Sequence, residues 1–100
     1  MTSTLAAERL VVRGRVQGVG YRYWAVAEAR TYRLTGWVRN RLDGTVEVLA
    51  VGAPQDLEQF VERCRIGPPS ARVAAVERAS VDAGTLGADD RAGFRQLPTV

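Results

Sequence analysis

The feature that most constrains this chain is a glycine-rich segment, Gly14-Arg15-Val16-Gln17-Gly18-Val19-Gly20-Tyr21-Arg22, which separates a strand-like run from a helix-like run. Gly18 and Gly20 can adopt backbone angles that other residues avoid, and they let a ligand approach the main chain. A glycine loop that opens a helix presents free N–H groups in one direction, where the helix dipole favours negative charge. Arg22 falls on the first turn of that helix, and its planar guanidinium suits a phosphate or carboxylate. The segment therefore predicts an anion site.

Hydrophobic patterning predicts the order of the elements, because strict alternation indicates strands and the i, i+3, i+4, i+7 spacing indicates a helix with one buried face. The predicted elements are a strand over Glu8 to Val16, a helix over Tyr21 to Leu34, strands over Gly36 to Asn40 and Thr45 to Val51, a helix from Pro54 that breaks at Ile66, a strand over 71–81, a mobile loop over Gly84 to Gly93 and a short strand over Phe94 to Leu97. Asp43-Gly44 predicts a hairpin, since glycine supplies the positive φ of the turn. The order βαββαβ with an extra terminal strand predicts an α+β fold, the ferredoxin-like split βαβ sandwich, with an antiparallel sheet and two helices on one face.

Length and composition predict one domain spanning residues 1–100, with residues 1–7 as a loosely ordered lead-in. No apolar run approaches the roughly 20 residues that a membrane span needs. The N-terminus has no basic segment followed by an apolar stretch, so we expect no secretory signal. The one cysteine permits no intramolecular disulfide, which fits a reducing compartment. We therefore expect a cytoplasmic protein without membrane attachment.

The residue types that the chain lacks exclude several catalytic designs. It has no histidine, and Cys64 is its one cysteine, so one chain cannot build a Ser-His-Asp triad, a Cys-His pair or a thiolate zinc site. The glycine loop is not a nucleotide P-loop either, because no Gly-Lys-Ser/Thr follows it. Catalysis must rely on arginine, carboxylate, amide, hydroxyl or backbone groups. Cys64 lies on the apolar face of the second helix, where we expect it to pack in the core.

Asn40, at the end of the second strand, is the other candidate for chemistry. Asparagine before a hairpin is often a turn residue that bonds to nearby backbone. In a split βαβ fold its amide can instead lie near the start of the first helix and point a water at an anion in the loop. The loop has its own structural alternative, in which Gly18 and Gly20 serve a tight turn and nothing more. The residues by themselves leave these readings open.

Several segments together resemble those of the acylphosphatase family. The matching segments run in order along residues 8–82, with Phe94 to Leu97 matching the family's last strand: Gly14 to Arg22, Gly36 to Asn40, Asp43 to Glu47 and Gly67 to Ala71. The resemblance implies a ferredoxin-like fold and a site that hydrolyses the carboxyl–phosphate bond of acyl phosphates without a metal or cofactor. It implies that Arg22 and Asn40 are the catalytic pair. It also implies that the substrate phosphate is bound by the loop residues Gln17, Gly18, Val19, Gly20, Tyr21 and Arg22.

This chain departs from the family's pattern at the start and end of the first predicted helix, and by a long insert over 83–93 that leaves the register of the final strand open. Tyr21 stands where the family often has phenylalanine, which adds a hydroxyl that needs a partner. Thr31 to Thr35 replaces a helix end where glycine is common, which bears on the geometry of the cap and not on the site.

The chemistry of an acyl phosphate agrees with the residue types present. Its leaving group is a carboxylate, which needs no general acid, and a loose phosphoryl-transfer transition state mostly requires positioning and charge stabilisation. We expect a small-molecule acyl phosphate as the partner and a monomer that binds no nucleic acid. Two other readings stay open. One is an RNA-binding sheet, since such sheets stack bases on exposed aromatic residues. The other is a carbamoyl-phosphate-handling module like those fused to hydrogenase maturation factors.

Overall fold

Two helices pack on one face of a five-stranded sheet in the computed structural model, which describes residues 5–100. The elements in chain order are β1 Ala6–Arg15, α1 Tyr21–Thr31, β2 Thr35–Asn40, β3 Val46–Gly52, α2 Pro54–Ile66, β4 Arg72–Val81 and β5 Phe94–Gln96. The strands lie in the order β4-β1-β3-β2-β5. The predicted α+β ferredoxin-like arrangement with a short C-terminal strand is therefore confirmed.

One edge of the sheet differs from the predicted antiparallel pattern. The first four strands pair antiparallel, whereas β5 runs parallel to β2, so that the sheet is mixed. The reason is the connection after β4, which crosses from one edge of the sheet to the other before β5 begins. This connection contains two 3₁₀ turns, Ala83–Thr85 and Ala88–Arg91, where we expected a mobile loop.

The connection covers the sheet face that the helices leave open. A second apolar cluster lies there, with Ala7, Trp37, Leu49 and Val51 buried and Ala83 and Leu86 among the residues packed against them. Both faces of the central strands are thereby covered by apolar side chains, which explains why every residue of β3 is buried.

The first strand begins earlier than predicted. β1 starts at Ala6 rather than Glu8, and Ala7 pairs with Val51 and Val81, so the expectation of loose order does not hold for Ala6 and Ala7. The rest of that lead-in up to residue 4 lies outside the described residues.

The first helix is shorter than predicted. It ends at Thr31 because Arg33 adopts a left-handed conformation with φ of 60° and Leu34 N donates to Ala29 O over 2.9 Å. This reversal takes Leu34 out of the helix and buries it in the core.

The main core fills the space between the helices and the sheet. In α2 the predicted stripe of Leu57, Phe60, Val61 and Cys64 is buried, as its helical spacing indicated. Burial raises the pKa of the Cys64 thiol to about 12, so this cysteine is a core residue and not a nucleophile at neutral pH.

Candidate active site

The loop between β1 and α1 needs glycine for its backbone angles. Gly18 and Gly20 have φ of 72° and 81°, in the left-handed region that favours glycine. A Cβ at either position would meet no atom within 4 Å, so crowding does not explain these glycines. The loop is therefore a turn that also leaves its main chain open to an approaching ligand.

The main-chain N–H groups of this loop are available to an anion. Gly20 is the N-cap of α1, without a side-chain cap and with no acidic residue in the first helical turn. Within residues 5–100, the N–H groups of Gly18, Val19 and Gly20 have no hydrogen-bond acceptor. Uncapped donors at the positive end of a helix dipole form an anion-binding arrangement.

Arg22 adds a positive charge to the same place. Its side chain is half-buried and forms no ion pair or hydrogen bond with any residue in the described part of the chain. A cation near a helix N-terminus is unfavourable by about 0.3–1 kcal/mol when nothing anionic compensates. A bound phosphate would remove that cost.

Asn40 ends β2, opposite Val46. Its main-chain oxygen accepts a hydrogen bond from Val100 N at 3.2 Å, while its side-chain Oδ1 is buried and has no hydrogen-bond donor within residues 5–100. A buried acceptor without a donor costs about 1–3 kcal/mol. The amide is thus held at the site without a protein partner for its oxygen.

Asp43 takes the turn role that was the alternative for Asn40. Its Oδ1 accepts hydrogen bonds from Thr45 N at 2.9 Å and from Thr45 Oγ1 at 2.7 Å. These bonds lower the pKa of the Asp43 carboxyl. The turn between β2 and β3 is stabilised without the Asn40 side chain, whose amide remains available to a ligand.

Arg22 and Asn40 line the same cavity, which has a volume of about 140 Å³. The structure therefore brings together the two residues that sequence reasoning paired. The other lining residues are Val16, Gly18, Gly20, Tyr21, Tyr23 and Gln96.

Gln17 and Val19, the remaining two predicted phosphate-binding residues, do not line this cavity. The Gln17 side-chain amide donates to Arg41 O and Thr45 O, each at 2.8 Å. These two bonds fasten the loop to the hairpin directly after Asn40, and so fix the loop relative to β2. Val19 is half-buried and packs against the main core.

Sequence reasoning missed Gln96 as a wall of the cavity. Gln96 lies beside Val38 because β5 pairs parallel to β2. No local pattern predicted that pairing, so the sequence carried no signal for Gln96. Tyr23 was also missed, although its position one residue after Arg22 was a usable signal.

The extra hydroxyl of Tyr21 has a partner in the core. Tyr21 is buried, and its hydroxyl donates to Cys64 O at 2.7 Å. Burial raises the pKa of the Tyr21 phenol, so it stays neutral and does not supply charge to the cavity. The hydroxyl joins the start of α1 to the end of α2.

A buried carboxylate organises the arginines next to Asn40. Glu47 on β3 contacts Arg9, Arg39 and Arg41, with N···O distances of 3.2, 2.8 and 3.0 Å. Burial alone would raise the pKa of Glu47, but the guanidinium groups of Arg39 and Arg41 outweigh it and hold that pKa below its ordinary value. These arginines are engaged with Glu47, in contrast to Arg22.

Within the described residues, no group of three or more cysteine, aspartate or glutamate side chains is arranged to hold a metal ion. Over the same residues, no helix has the length and apolar character needed to cross a membrane.

Comparison with known proteins identifies the family. The Acylphosphatase family profile matches residues 8–95. The curated acylphosphatase of Azoarcus sp. (strain BH72) is 50% identical over 97 residues, which cover 97% of this chain and 94% of that protein. The crystal structure of acylphosphatase from Bacillus subtilis superposes with a TM-score of 0.83 at 37% identity and covers 94% of this chain and 99% of that chain.

A larger protein contains the same fold. The crystal structure of full-length HypF in a phosphate- and nucleotide-bound form matches 99% of this chain and 13% of that chain, with a TM-score of 0.85. At 24% identity this likeness shows the fold alone.

The chain belongs to the acylphosphatase family. It is accordingly an enzyme that hydrolyses acyl phosphates, built on the ferredoxin-like fold of its relatives.

Proposed function

We propose that this enzyme hydrolyses the carboxyl–phosphate bond without a metal ion, with Arg22 binding the phosphate and Asn40 orienting the attacking water. One observation carries the proposal: Arg22 and Asn40 line the same cavity of about 140 Å³. Within residues 5–100, the Arg22 guanidinium has no partner and the buried Asn40 Oδ1 has no hydrogen-bond donor. Each group lacks what an acyl phosphate and a water would supply.

The phosphate is bound by the loop and by Arg22. In this proposal the main-chain N–H groups from Gln17 to Arg22 donate to the oxygens of the phosphate, and the guanidinium pairs with the same oxygens as a fork. The bonds from the Gln17 side chain to the hairpin keep the loop in place while these contacts form. Because the donors are already fixed, little reorganisation is needed when charge builds up on the equatorial oxygens.

Attack follows from the position of Asn40. A water that donates one hydrogen to Asn40 Oδ1 directs a lone pair toward phosphorus. A bond forms between the water oxygen and phosphorus, and the bond between phosphorus and the acyl oxygen breaks with its electron pair on the carboxylate. The water proton passes to a phosphate oxygen. The products are a carboxylate and inorganic phosphate, and no general acid is required because the carboxylate is a stable leaving group.

The RNA-binding alternative receives no support from the sheet. Trp37, the tryptophan of β2, is 9% exposed and lies under the connection after β4, with the Arg39 guanidinium 4.6 Å from its ring centroid. An aromatic side chain covered in this way is not available to stack on a base. We propose that the protein acts as a cytoplasmic monomer that binds no nucleic acid. Size-exclusion chromatography and RNA retention at physiological salt test the monomer and nucleic-acid parts of this proposal.

Hydrolysis of benzoyl phosphate in excess EDTA tests the proposed function. We expect the wild-type protein to turn over, and Asn40→Ala to lose about two to four decades of kcat, the range measured for groups that handle a reacting proton. Gln59→Ala removes an exposed amide from α2 and is the matched control. Folded wild-type protein that leaves benzoyl phosphate intact would contradict the proposal.

A further inference from the structure

A second cavity continues the active-site cavity along the outside of α1. It has a volume of about 350 Å³ and shares the walls formed by Tyr23 and Gln96 with the site that contains Arg22 and Asn40. Pockets of roughly 300–1,000 Å³ are typical of small-molecule sites. An acyl phosphate bound in the smaller cavity therefore has adjoining space for its acyl group.

One face of α1 forms the floor of this second cavity. Tyr23, Val26, Ala27 and Arg30 follow the i, i+3, i+4, i+7 spacing that places side chains on one helix face. Tyr23 is 79% exposed, so its aromatic ring is open to contact with a ligand. The part of the floor near the phosphate is thus aromatic and aliphatic.

The far end of the cavity is cationic. Arg30 Nη2 donates to Phe94 O at 3.1 Å and Arg95 Nη1 donates to Asp89 O at 2.7 Å, so both guanidinium groups are held in place by neutral carbonyls. Within residues 5–100, neither has a carboxylate at ion-pair distance. Each guanidinium carries five N–H donors, so donors and the full positive charge remain for a ligand.

We propose that this acyl groove, lined by Tyr23, Val26, Ala27, Arg30, Arg95 and Gln96, selects the acyl group of the substrate. The inference rests on the proposed function, because it needs the phosphate in the neighbouring cavity. The apolar body of the acyl group packs on Tyr23 and Val26, and a second anionic group at its far end pairs with Arg30 and Arg95. Arg30 lies seven positions after Tyr23 on the helix, a rise of about 10 Å. The preferred substrates are extended acyl phosphates with an aromatic or aliphatic body and a distal carboxylate.

A different cavity competes for the same role. It is lined by Arg15 and Arg72 among other residues and meets the active site at Gly18. Its wall is mostly polar, and so it offers an anionic group a partner but offers an apolar body little surface. The acyl groove combines both kinds of contact, which is why we assign the acyl group to it.

The test compares two substrates in each variant. They are acetyl phosphate and an acyl phosphate of biphenyl-4,4′-dicarboxylic acid, which carries a free carboxylate at a distance similar to the length of the groove. The selectivity is the ratio of kcat/KM for the biphenyl substrate to that for acetyl phosphate. We expect a ratio of about ten in the wild-type protein. In Arg95→Gln the ratio should be about three- to fivefold lower, which is the effect expected from the loss of one partly exposed ion pair.

Matched variants locate the effect. Arg65→Gln removes the same charge from the exposed surface of α2, and we expect it to keep the wild-type ratio. Tyr23→Ser lowers the ratio by about fivefold through loss of aromatic contact. The acyl groove is overturned if the ratio is the same in wild type, Arg95→Gln and Tyr23→Ser, or if it falls only in Arg72→Gln. In either case, hydrolysis of acetyl phosphate still supports the proposed function. Wild-type protein that hydrolyses neither substrate overturns both.

Discussion

Replacement of Asn40 by alanine distinguishes a catalytic role of its amide from a structural role. The Asn40 Oδ1 atom is buried without a donor among residues 5–100. Alanine at this position removes no hydrogen bond to another residue of the described chain, because only a water is proposed to donate to this oxygen. The lost packing of the side-chain carbon costs about 0.8 kcal/mol. We therefore expect the free energy of unfolding of Asn40→Ala to lie within about 1 kcal/mol of the wild-type value.

Activity, in contrast to stability, falls sharply. Without the amide, water is no longer oriented toward phosphorus, and kcat falls by about two to four decades. Urea unfolding measures the stability change, and a thermal melt supports it, since 1 kcal/mol shifts Tm by about 4–8 °C in a domain of this size. Benzoyl phosphate hydrolysis measures the activity change on the same samples.

Gln17→Ala is the contrasting variant, because the Gln17 amide makes two hydrogen bonds to main-chain oxygens. It should lower the free energy of unfolding by about 1–3 kcal/mol. If Asn40→Ala is destabilised to the same degree as Gln17→Ala, the Asn40 amide holds the fold and the reasoning is refuted. A stable Asn40→Ala protein with near-wild-type kcat would also refute it.

Substitutions at three further positions have defined outcomes. Arg22→Ala should lower kcat by about 10³ or more, by analogy with arginines that stabilise phosphoryl transfer, with an unchanged circular dichroism spectrum. Arg22→Lys should not restore it, because an ammonium lacks the forked geometry; full rescue would contradict the assigned role. The pKa of Glu47 in the folded protein lies below its ordinary value of 4.5, so its contribution to stability is present above that pH and is lost as pH falls through the lowered value. Glu47→Gln should lower the free energy of unfolding at neutral pH, and it should reduce the loss of that free energy as pH falls, measured by urea titrations at several pH values. An equal loss in wild type and variant would argue against this role of Glu47. Arg33→Gly should raise the free energy of unfolding by about 0.5–1 kcal/mol, because relief of the left-handed strain outweighs the entropy that glycine adds to the unfolded chain. A lower Tm of the variant in a thermal melt would show that Arg33 is not strained.

Local signals carried the parts of the fold that the sequence predicted well. The buried stripe of α2, the turn at Asp43-Gly44 and the glycine loop each depend on residues close together in the chain. Arg22 was a candidate anion ligand because it follows the loop directly, and the resemblance to the acylphosphatase family implied its catalytic role. Asn40 was assigned from its place at a strand end, and the structure brings it to the same cavity.

Long-range packing decided what the sequence did not predict. The helix α1 stops at Thr31 so that Leu34 can reach the core, and helix propensity carries no information about that requirement. The parallel pairing of β5, and with it Gln96 in the cavity wall, depends on a connection that crosses the sheet. The hydrogen bonds of the Gln17 side chain span more than twenty residues and were equally invisible to local patterns.

Oxygen-isotope labelling tests the central claim most directly. Benzoyl phosphate is hydrolysed by the wild-type protein in ¹⁸O-labelled water with excess EDTA, and both products are analysed by mass spectrometry. Attack by a water held on Asn40 at the phosphorus held by Arg22 predicts that the label enters inorganic phosphate and that benzoate carries none. Label in benzoate would place the attack at the acyl carbon and contradict the mechanism.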